Sequence, residues 1–192
     1  FYQLDFEMAF ATQEDVFAVA EQVLSETFRR FSDKAVTPAP FVRIPFAEAM
    51  LKYGTDKPDL RNPLEIIDLS EFFQKVDFNP LKTDVAVDFK PFQGRIVRGV
   101  TVGGCAKMPK SFFAAMEKFA LGIGMKGLGY ISVKEDMTYK GPIDKFFNDE
   151  QRREIAEIAS LKEGDVLYFI SDEKGLVEKY AGQIRTELGK RL

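Results

Sequence analysis

Apolar residues follow two different periods from residue 66 onwards, and this mixture restricts the fold class. Some short runs are rich in β-branched and aromatic residues, which is typical of strands. These runs are Gly94–Val102, Leu128–Val133 and Val166–Ile170. Other stretches repeat apolar side chains at helical spacing. They cover residues 111–120, 148–158 and 174–188. The alternation predicts an α+β fold with a mixed or antiparallel sheet flanked by helices.

The first residues alternate between apolar and polar side chains, which predicts a strand over residues 1–11. One face of this strand carries Tyr2, Leu4, Phe6 and Met8, and the other carries Phe1, Gln3, Asp5 and Glu7. A sheet that floors a polar site needs an apolar back and an acid-bearing front of this kind. Spacing alone favours the simpler alternative, which is a surface strand with a solvated face.

Two helices are predicted between this strand and residue 53. Thr12 reads as an N-cap with Asp15 as its capping-box partner, so the first helix should run over residues 13–31. A short strand is predicted at Phe41–Ile44. The second helix should then cover residues 45–53, with Pro45 in its first turn.

Caps and turns are also predicted in the second half of the chain. Ser111 is predicted to cap one helix, and Asn148 with Gln151 forms a capping box for the next. Gly189 is predicted to end the last helix. A short strand is predicted at residues 85–87.

The segment Tyr53–Arg61 joins a glycine, a proline and four charged residues, which favours a loop. The charged residues are Asp56, Lys57, Asp59 and Arg61. The segment is therefore a candidate domain boundary or functional loop. From the residues alone, an exposed connector is the favoured interpretation.

Composition excludes several kinds of chemistry within this chain. The 192 residues include no histidine, so a Ser-His-Asp hydrolase or a histidine–zinc site is excluded, and no metal site is expected. Cys105 is the single cysteine, which fits a reducing, cytoplasmic compartment. The net charge of -3 gives no strong field toward nucleic acid, and no apolar run reaches the ~20 residues that span a bilayer. Neither DNA nor a membrane is therefore an expected partner.

Several stretches resemble bacterial-type aspartyl-tRNA synthetases of class II. Phe1–Met8 resembles the strand that closes the second signature motif of the class, and Phe46–Arg61 resembles the segment that follows it. From Asn62 onwards, the chain resembles the GAD-type insertion domain of these enzymes, which an amidotransferase subunit acting on glutamyl-tRNA shares. The matching motifs of that domain are Gly94–Val97, Lys126–Ile131 and Gly164–Phe169.

The resemblance implies an internal piece of such an enzyme, with two parts. Residues 1–61 would be a partial catalytic core. Residues 62–192 would be the insertion domain, with about 163–192 leading back toward the core. The anticodon-binding barrel and the arginine-bearing motifs would lie elsewhere, so the piece alone is expected to be inactive and to have an unpaired strand edge. It is also expected to be monomeric or weakly associated, whereas the parent enzyme would be a homodimer.

The resemblance also implies roles for the polar face of the first strand. The family activates L-aspartate with ATP and Mg²⁺ and transfers it to tRNA. Phe1 matches the aromatic residue that stacks on the adenine of ATP, and Gln3 lies beside it. Asp5 matches the carboxylate near the α-ammonium of bound aspartate, and Glu7 continues the same face.

The partners implied by the resemblance are tRNA(Asp) and, as an open alternative, tRNA(Asn). The four charged residues of the loop, Asp56, Lys57, Asp59 and Arg61, are expected to order a hinge or to approach tRNA. A second hypothesis makes residues 62–192 a non-catalytic tRNA-contact or spacer module. A third makes the chain an unrelated α+β domain.

Overall fold

The computed structural model describes residues 1–76 and 94–192, which form two compact units, Phe1–Ile44 and Pro45–Leu192. In the described ranges, the helices are α1 (Gln13–Phe31), α2 (Phe46–Tyr53), α3 (Ser70–Gln74), α4 (Lys110–Gly122), α5 (Asp149–Ile158) and α6 (Leu176–Arg191). The strands are β1 (Ile66–Asp68), β2 (Ile96–Val102), β3 (Gly129–Val133), β4 (Tyr139–Lys140) and β5 (Val166–Asp172). The strand predicted at 85–87 lies outside the described residues. No described helix has the length and apolar character needed to cross a membrane.

The first unit is built around α1, whose predicted start is confirmed. The hydroxyl of Thr12 accepts the Asp15 N–H at 3.4 Å, and the Thr12 N–H donates to the Asp15 carboxylate at 2.8 Å. This reciprocal pair satisfies backbone donors that the first turn leaves free. The helix ends at Phe31, as predicted.

The predicted strand at Phe41–Ile44 is not formed, because side chains of α1 hold this segment instead of a neighbouring strand. The Phe41 N–H donates to the Glu21 carboxylate at 3.0 Å. Arg43 forms an ion pair with Glu14 at 2.7 Å, and its guanidinium lies 4.9 Å from the centre of the Phe17 ring.

The predicted strand over residues 1–11 is also wrong for this structure, which has no strand before Ile66 in the described part of the chain. A strand is stable only when a neighbour accepts and donates its backbone hydrogen bonds. None of the five strands of the sheet pairs with this segment. Alternation of side chains therefore predicted a conformation that needs a partner strand to form.

The second unit contains a five-stranded sheet with the order β1-β2-β5-β3-β4. Every neighbouring pair is antiparallel, which confirms the antiparallel form of the prediction. The long central pair runs from Ile96 opposite Asp172 to Val102 opposite Val166. Strand β2 is rich in β-branched residues, and β5 joins β-branched and aromatic residues, because both of these strands are covered on two faces.

Helices cover both faces of this sheet and create two cores. One face packs against α4 and α6, and its buried members include Val100, Tyr168, Met116, Ala181 and Ile184. The other packs against α3 and α5, and its buried members include Val97, Phe169, Phe73, Phe147 and Ile155. Successive residues of β5 therefore enter opposite cores, as the two-residue period of a strand requires.

Only some of the helix caps predicted for the second unit are formed. Asn148 and Gln151 form the predicted capping box, with both hydrogen bonds at 2.9 Å. Ser111 is not a cap, because Pro109 already makes the extended turn into the helix and Ser111 falls inside its first turn. Gly189 does not end α6, which continues to Arg191, and its missing side chain instead leaves room for Asn62.

Candidate functional site

The residues of the predicted polar face lie in the first unit, ahead of α1, and all of them are exposed. These residues are Phe1, Gln3, Asp5 and Glu7. The apolar residues between them are exposed as well, from Tyr2 at 104% to Met8 at 45%. The segment therefore has no core of its own within the first unit, and its assignment to ATP and aspartate stays a prediction.

The charged loop after α2, which in the structure covers Gly54–Leu64, lies in the second unit and is ordered by several contacts. Gly54 adopts a left-handed conformation with a φ of 68° and ends α2 by donating its N–H to the Met50 carbonyl. Lys57 pairs with Asp56 at 3.2 Å. Asp56 and Lys57 stay exposed, so the loop presents charge at the surface of the second unit.

Asp59 and Arg61 form the closest ion pair of this loop. Two nitrogens of the Arg61 guanidinium donate to the two carboxylate oxygens of Asp59, at 2.9 and 2.7 Å. The Arg61 N–H adds a third hydrogen bond to the same carboxylate at 3.0 Å. Hydrogen bonds from the Arg61 side chain, followed by the one from its backbone, lower the pKa of Asp59 to about 2.

We expect the carboxyl carbon of Asp59 to titrate in ¹³C NMR with a midpoint near pH 2 rather than at 3.8. Because this pKa is lower in the folded state, the pair stabilises the fold above pH 3.8 and loses that contribution as the pH falls through about 2. Arg61→Gln should raise the midpoint toward 3.8. Lys57→Gln removes a cation that pairs with Asp56 instead, so it should leave the Asp59 midpoint in place.

Arg185 of α6 is the main contact on the inner side of this loop, and sequence analysis missed it. Only 2% of Arg185 is exposed. Its guanidinium donates to the carbonyl oxygens of Asp59 at 3.1 Å, Asn62 at 2.7 Å and Leu64 at 2.5 Å. One buried side chain therefore fixes three points along the loop backbone.

The guanidinium of Arg185 also lies under an aromatic ring, with its central carbon 4.9 Å from the centre of the Tyr53 ring. Burial is the main influence on its pKa and lowers it, whereas Tyr53, Asp59 and Glu65 act in the opposite direction. An arginine keeps its charge under such conditions because its ordinary pKa lies far above neutral pH. The ring thus joins the end of α2 to α6 through a buried cation.

Two glycines of α6 allow the loop to come close to the helix. A Cβ at Gly182 would lie 2.6 Å from the carbonyl oxygen of Gly54, so only glycine fits this contact. Asn62 packs against Gly189 and donates its side-chain N–H to the Arg185 carbonyl at 3.0 Å. The spacing Gly182, Arg185, Gly189 puts all three on one helix face, and this was the sequence signal that could have identified the contact.

Other buried or half-buried charges have local partners. Arg98, which is 7% exposed, pairs with Asp68 at 2.6 Å across neighbouring strands. Arg152 pairs with Asp144 and Asp149 at 3.0 and 3.1 Å. Within residues 1–76 and 94–192, no group of three acidic or cysteine side chains is arranged to hold a metal ion.

Comparison with known proteins relates these features to one family. Residues 1–174 match the family described as tRNA synthetases class II (D, K and N). Over its full length, the chain is 44% identical to the aspartate–tRNA(Asp/Asn) ligases of Rickettsia bellii (strain OSU 85-389) and Rickettsia felis, and 45% identical to that of Rickettsia conorii. It spans 31% of the length of each of these relatives.

Proposed function

Since the chain belongs to the class II tRNA synthetases (D, K and N), we propose that it is part of an aspartate–tRNA ligase. The carrying observation is that the 44% identity to ligases of this name extends over all 192 residues and so includes both compact units. The parent enzyme would activate L-aspartate with ATP and esterify the terminal adenosine of tRNA with it. The piece alone is proposed to be inactive.

Two parts of that enzyme are proposed within the chain. Residues 1–61 are assigned to the catalytic core, and residues 62–192 to a GAD-type insertion domain. A sheet with its own two cores supports the second assignment, because an insertion needs a core that it does not share with its host. Helix α6 packs against α2 and the loop after it, which fits a last segment that returns toward the core. The alternative role of residues 62–192 as a tRNA-contact or spacer module is compatible with this arrangement.

The exposed polar residues of the first unit are proposed to complete the substrate site of the parent. The ring of Phe1 offers a stacking surface for adenine, with the amide of Gln3 beside it. The Asp5 carboxylate offers an anion to the α-ammonium of aspartate, and Glu7 supplies further negative charge nearby. Pairing of the first residues with a neighbouring strand of the parent core would order them, because exposed side chains on an unpaired segment cannot position a substrate.

ATP and Mg²⁺ are proposed for the parent enzyme and not for this chain alone. In the parent enzyme, the aspartate carboxylate would take the adenylyl group of ATP to form aspartyl-adenylate, and pyrophosphate would leave. Mg²⁺ in such enzymes is held by one or two carboxylates together with the phosphates of the nucleotide, and no carboxylate of this chain is assigned to it. Only adenine stacking and recognition of the aspartate ammonium are therefore assigned to residues of this chain.

The partners proposed for the parent enzyme are tRNA(Asp), tRNA(Asn) as a second acceptor, and a second copy of the enzyme in a homodimer. The names of the Rickettsia relatives, which give both tRNAs, support the two acceptors. Translation is a cytoplasmic process in bacteria, so a cytoplasmic location follows from the proposed activity. Charging of each purified tRNA tests the two acceptors separately.

We expect the full-length protein to catalyse aspartate-dependent ATP–pyrophosphate exchange, and Asp5→Asn to weaken it. Loss of one charge-assisted hydrogen bond is worth about 1.5–3 kcal/mol, so the KM for aspartate should rise about 10- to 100-fold. The KM for tRNA should change little, because the assigned contact is with the amino acid.

Asp33→Asn is the matched control, since Asp33 is also an exposed aspartate of the first unit and has no proposed role. No exchange with aspartate by the wild-type protein would overturn the proposed function. Equal aspartate KM values in the two variants would overturn the role of Asp5 while leaving that function in place.

A further inference from the structure

We propose that Arg185 is a positioning residue that holds the loop Gly54–Leu64 so that Lys57 and Arg61 contact the tRNA substrate. This inference rests on the proposed function and assigns a role to a residue that touches neither aspartate nor ATP in that proposal. Three observations support it. The buried cation Arg185 binds backbone carbonyls, the loop packs closely against α6, and the cations Lys57 and Arg61 point to solvent.

The buried guanidinium of Arg185 has no carboxylate partner among the described residues. Its hydrogen bonds go to backbone carbonyls of Asp59, Asn62 and Leu64. Arg98, a second buried arginine of the same unit, has the more usual carboxylate partner. A carboxylate oxygen of Asp68 lies 2.6 Å from its guanidinium. Burial of a cation is costly unless its donors are satisfied, and apolar side chains of the same volume would fill the space more cheaply. The arrangement is therefore suited to fixing the loop backbone rather than to stabilising the helix alone.

The loop is fixed along its length and not at one point. Gly54 meets Gly182 at the start of the loop, backbone against backbone. At its end, Asn62 binds the Arg185 carbonyl at 3.0 Å and accepts the Leu64 N–H at 3.1 Å. Surface loops are normally the most mobile parts of a fold. This one is held by contacts to residues more than 120 positions away, from Asn62 and Leu64 to Arg185.

The inner side of the loop faces Arg185, whereas two cations face solvent. The side chains of Lys57 and Arg61 are 85% and 88% exposed. Their partners, Asp56 and Asp59, belong to the same loop. The single exposed contact between Lys57 and Asp56 is worth only about 0–1 kcal/mol, so a phosphate can compete for this cation. The pair of Arg61 with Asp59 is stronger, but it uses only Nε and one terminal nitrogen of the guanidinium, which leaves the other terminal nitrogen to bind a phosphate. Two cations held at fixed positions fit the phosphate backbone of an RNA.

A lysine cannot replace Arg185 in this role. Arginine presents several N–H donors in a planar fork, and here they reach three separate carbonyls. A lysine ammonium keeps the charge but is a compact point donor on a flexible stem. Arg185→Lys should therefore leave the charge in place and loosen the loop, which separates positioning from electrostatics.

The test uses the full-length protein and compares Arg185→Lys and Arg185→Met with the wild type. We expect the KM for tRNA to rise about tenfold in Arg185→Met and by a smaller factor in Arg185→Lys, since displacement of a positioned contact weakens binding steeply. ATP–pyrophosphate exchange should change by less than about twofold, because the loop is assigned to tRNA and not to adenylate formation. The salt dependence of the tRNA KM should become less steep as phosphate contacts are lost.

Arg98→Met is the matched control, because it also removes a buried arginine from the second unit but leaves the loop contacts in place. It should leave the tRNA KM near the wild-type value. The double variant Lys57→Ala/Arg61→Ala changes only exposed side chains, so it remains informative if Arg185→Met does not fold. It should raise the tRNA KM by a similar factor, and adding Arg185→Lys to it should raise the KM no further.

The outcomes separate the two proposals. An unchanged tRNA KM in Arg185→Met or in the double variant would overturn the positioning role. So would equal losses in exchange and in tRNA charging that track the folded fraction, because a purely structural role predicts them. Failure of the wild-type protein to form aspartyl-tRNA would instead overturn the proposed function itself.

Discussion

Gly182→Ala should destabilise the second unit by about 2–4 kcal/mol, although alanine is the better helix former by about 1 kcal/mol. A Cβ at residue 182 would lie 2.6 Å from the carbonyl oxygen of Gly54 and 3.1 Å from its Cα. Those are backbone atoms, so no side-chain rotation relieves the clash. Either α6 or the end of α2 must move, and the contacts of Arg185 with the loop move with it. The free energy of opening measured by hydrogen exchange of β5 amides gives the size of the effect.

Gly122→Ala is the control for this prediction. Gly122 is also helical, at the end of α4, and a Cβ there would meet nothing within 4 Å. Helix propensity then acts alone, and the substitution should be neutral or stabilising by up to about 1 kcal/mol. Similar free-energy changes for the two alanine variants would mean that the contact between Gly54 and Gly182 is not tight.

Phe169→Ala should destabilise the second unit by about 3–5 kcal/mol, which is the range for removing a large buried aromatic side chain. Phe169 is 2% exposed in the central strand β5. Its ring lies 5.4 Å from that of Phe73 and 6.3 Å from that of Phe147, in edge-on arrangements. The cavity left by the ring cannot close easily, because β5 is held by packing on both faces of the sheet.

Phe46→Ala makes the same chemical change at a site that is 70% exposed in the first turn of α2. It should change the free energy of unfolding by less than about 0.5 kcal/mol. Urea denaturation of the wild-type and both variant chains measures the difference. A loss below about 1 kcal/mol in Phe169→Ala would contradict the packing described for this core.

The two stability predictions also bear on the tRNA role proposed for Arg185. Gly182 and Phe169 lie on different elements of the second unit, but only the glycine is in contact with the loop that carries Lys57 and Arg61. In the full-length protein, Gly182→Ala should therefore raise the tRNA KM, as the Arg185 variants do. Phe169→Ala should lower the amount of folded protein without that specific change.

Local sequence patterns correctly predicted most of the helices and the long strands. The capping boxes at Thr12 and Asn148 are formed by residues three positions apart, so their hydrogen bonds can be read directly from the chain. The central strand β5 was visible because burial on both faces requires a continuous apolar run, and β2 was visible because it is rich in β-branched residues. The family resemblance, confirmed over residues 1–174, came from motifs in both units.

The predictions that were wrong concern conformations that depend on distant partners. Alternation at residues 1–11 indicated a strand, but no strand of the described sheet pairs with it. Gly189 was assigned to a helix end because glycine often ends helices, whereas its lack of a side chain makes room for Asn62 instead. The roles of Phe1, Gln3, Asp5 and Glu7 remain predictions from the resemblance.

The sequence by itself determined the α+β class, the capped helix starts and the charged loop, because each depends on residues that are close together in the chain. Only the tertiary structure decided how that loop is held. Arg185 and Asp59 are 126 positions apart, and no local pattern pairs a cation with a backbone carbonyl at that distance. Every residue has a backbone carbonyl, so the sequence does not indicate which carbonyl a buried arginine binds. Only the folded structure shows which of them lie within hydrogen-bonding distance.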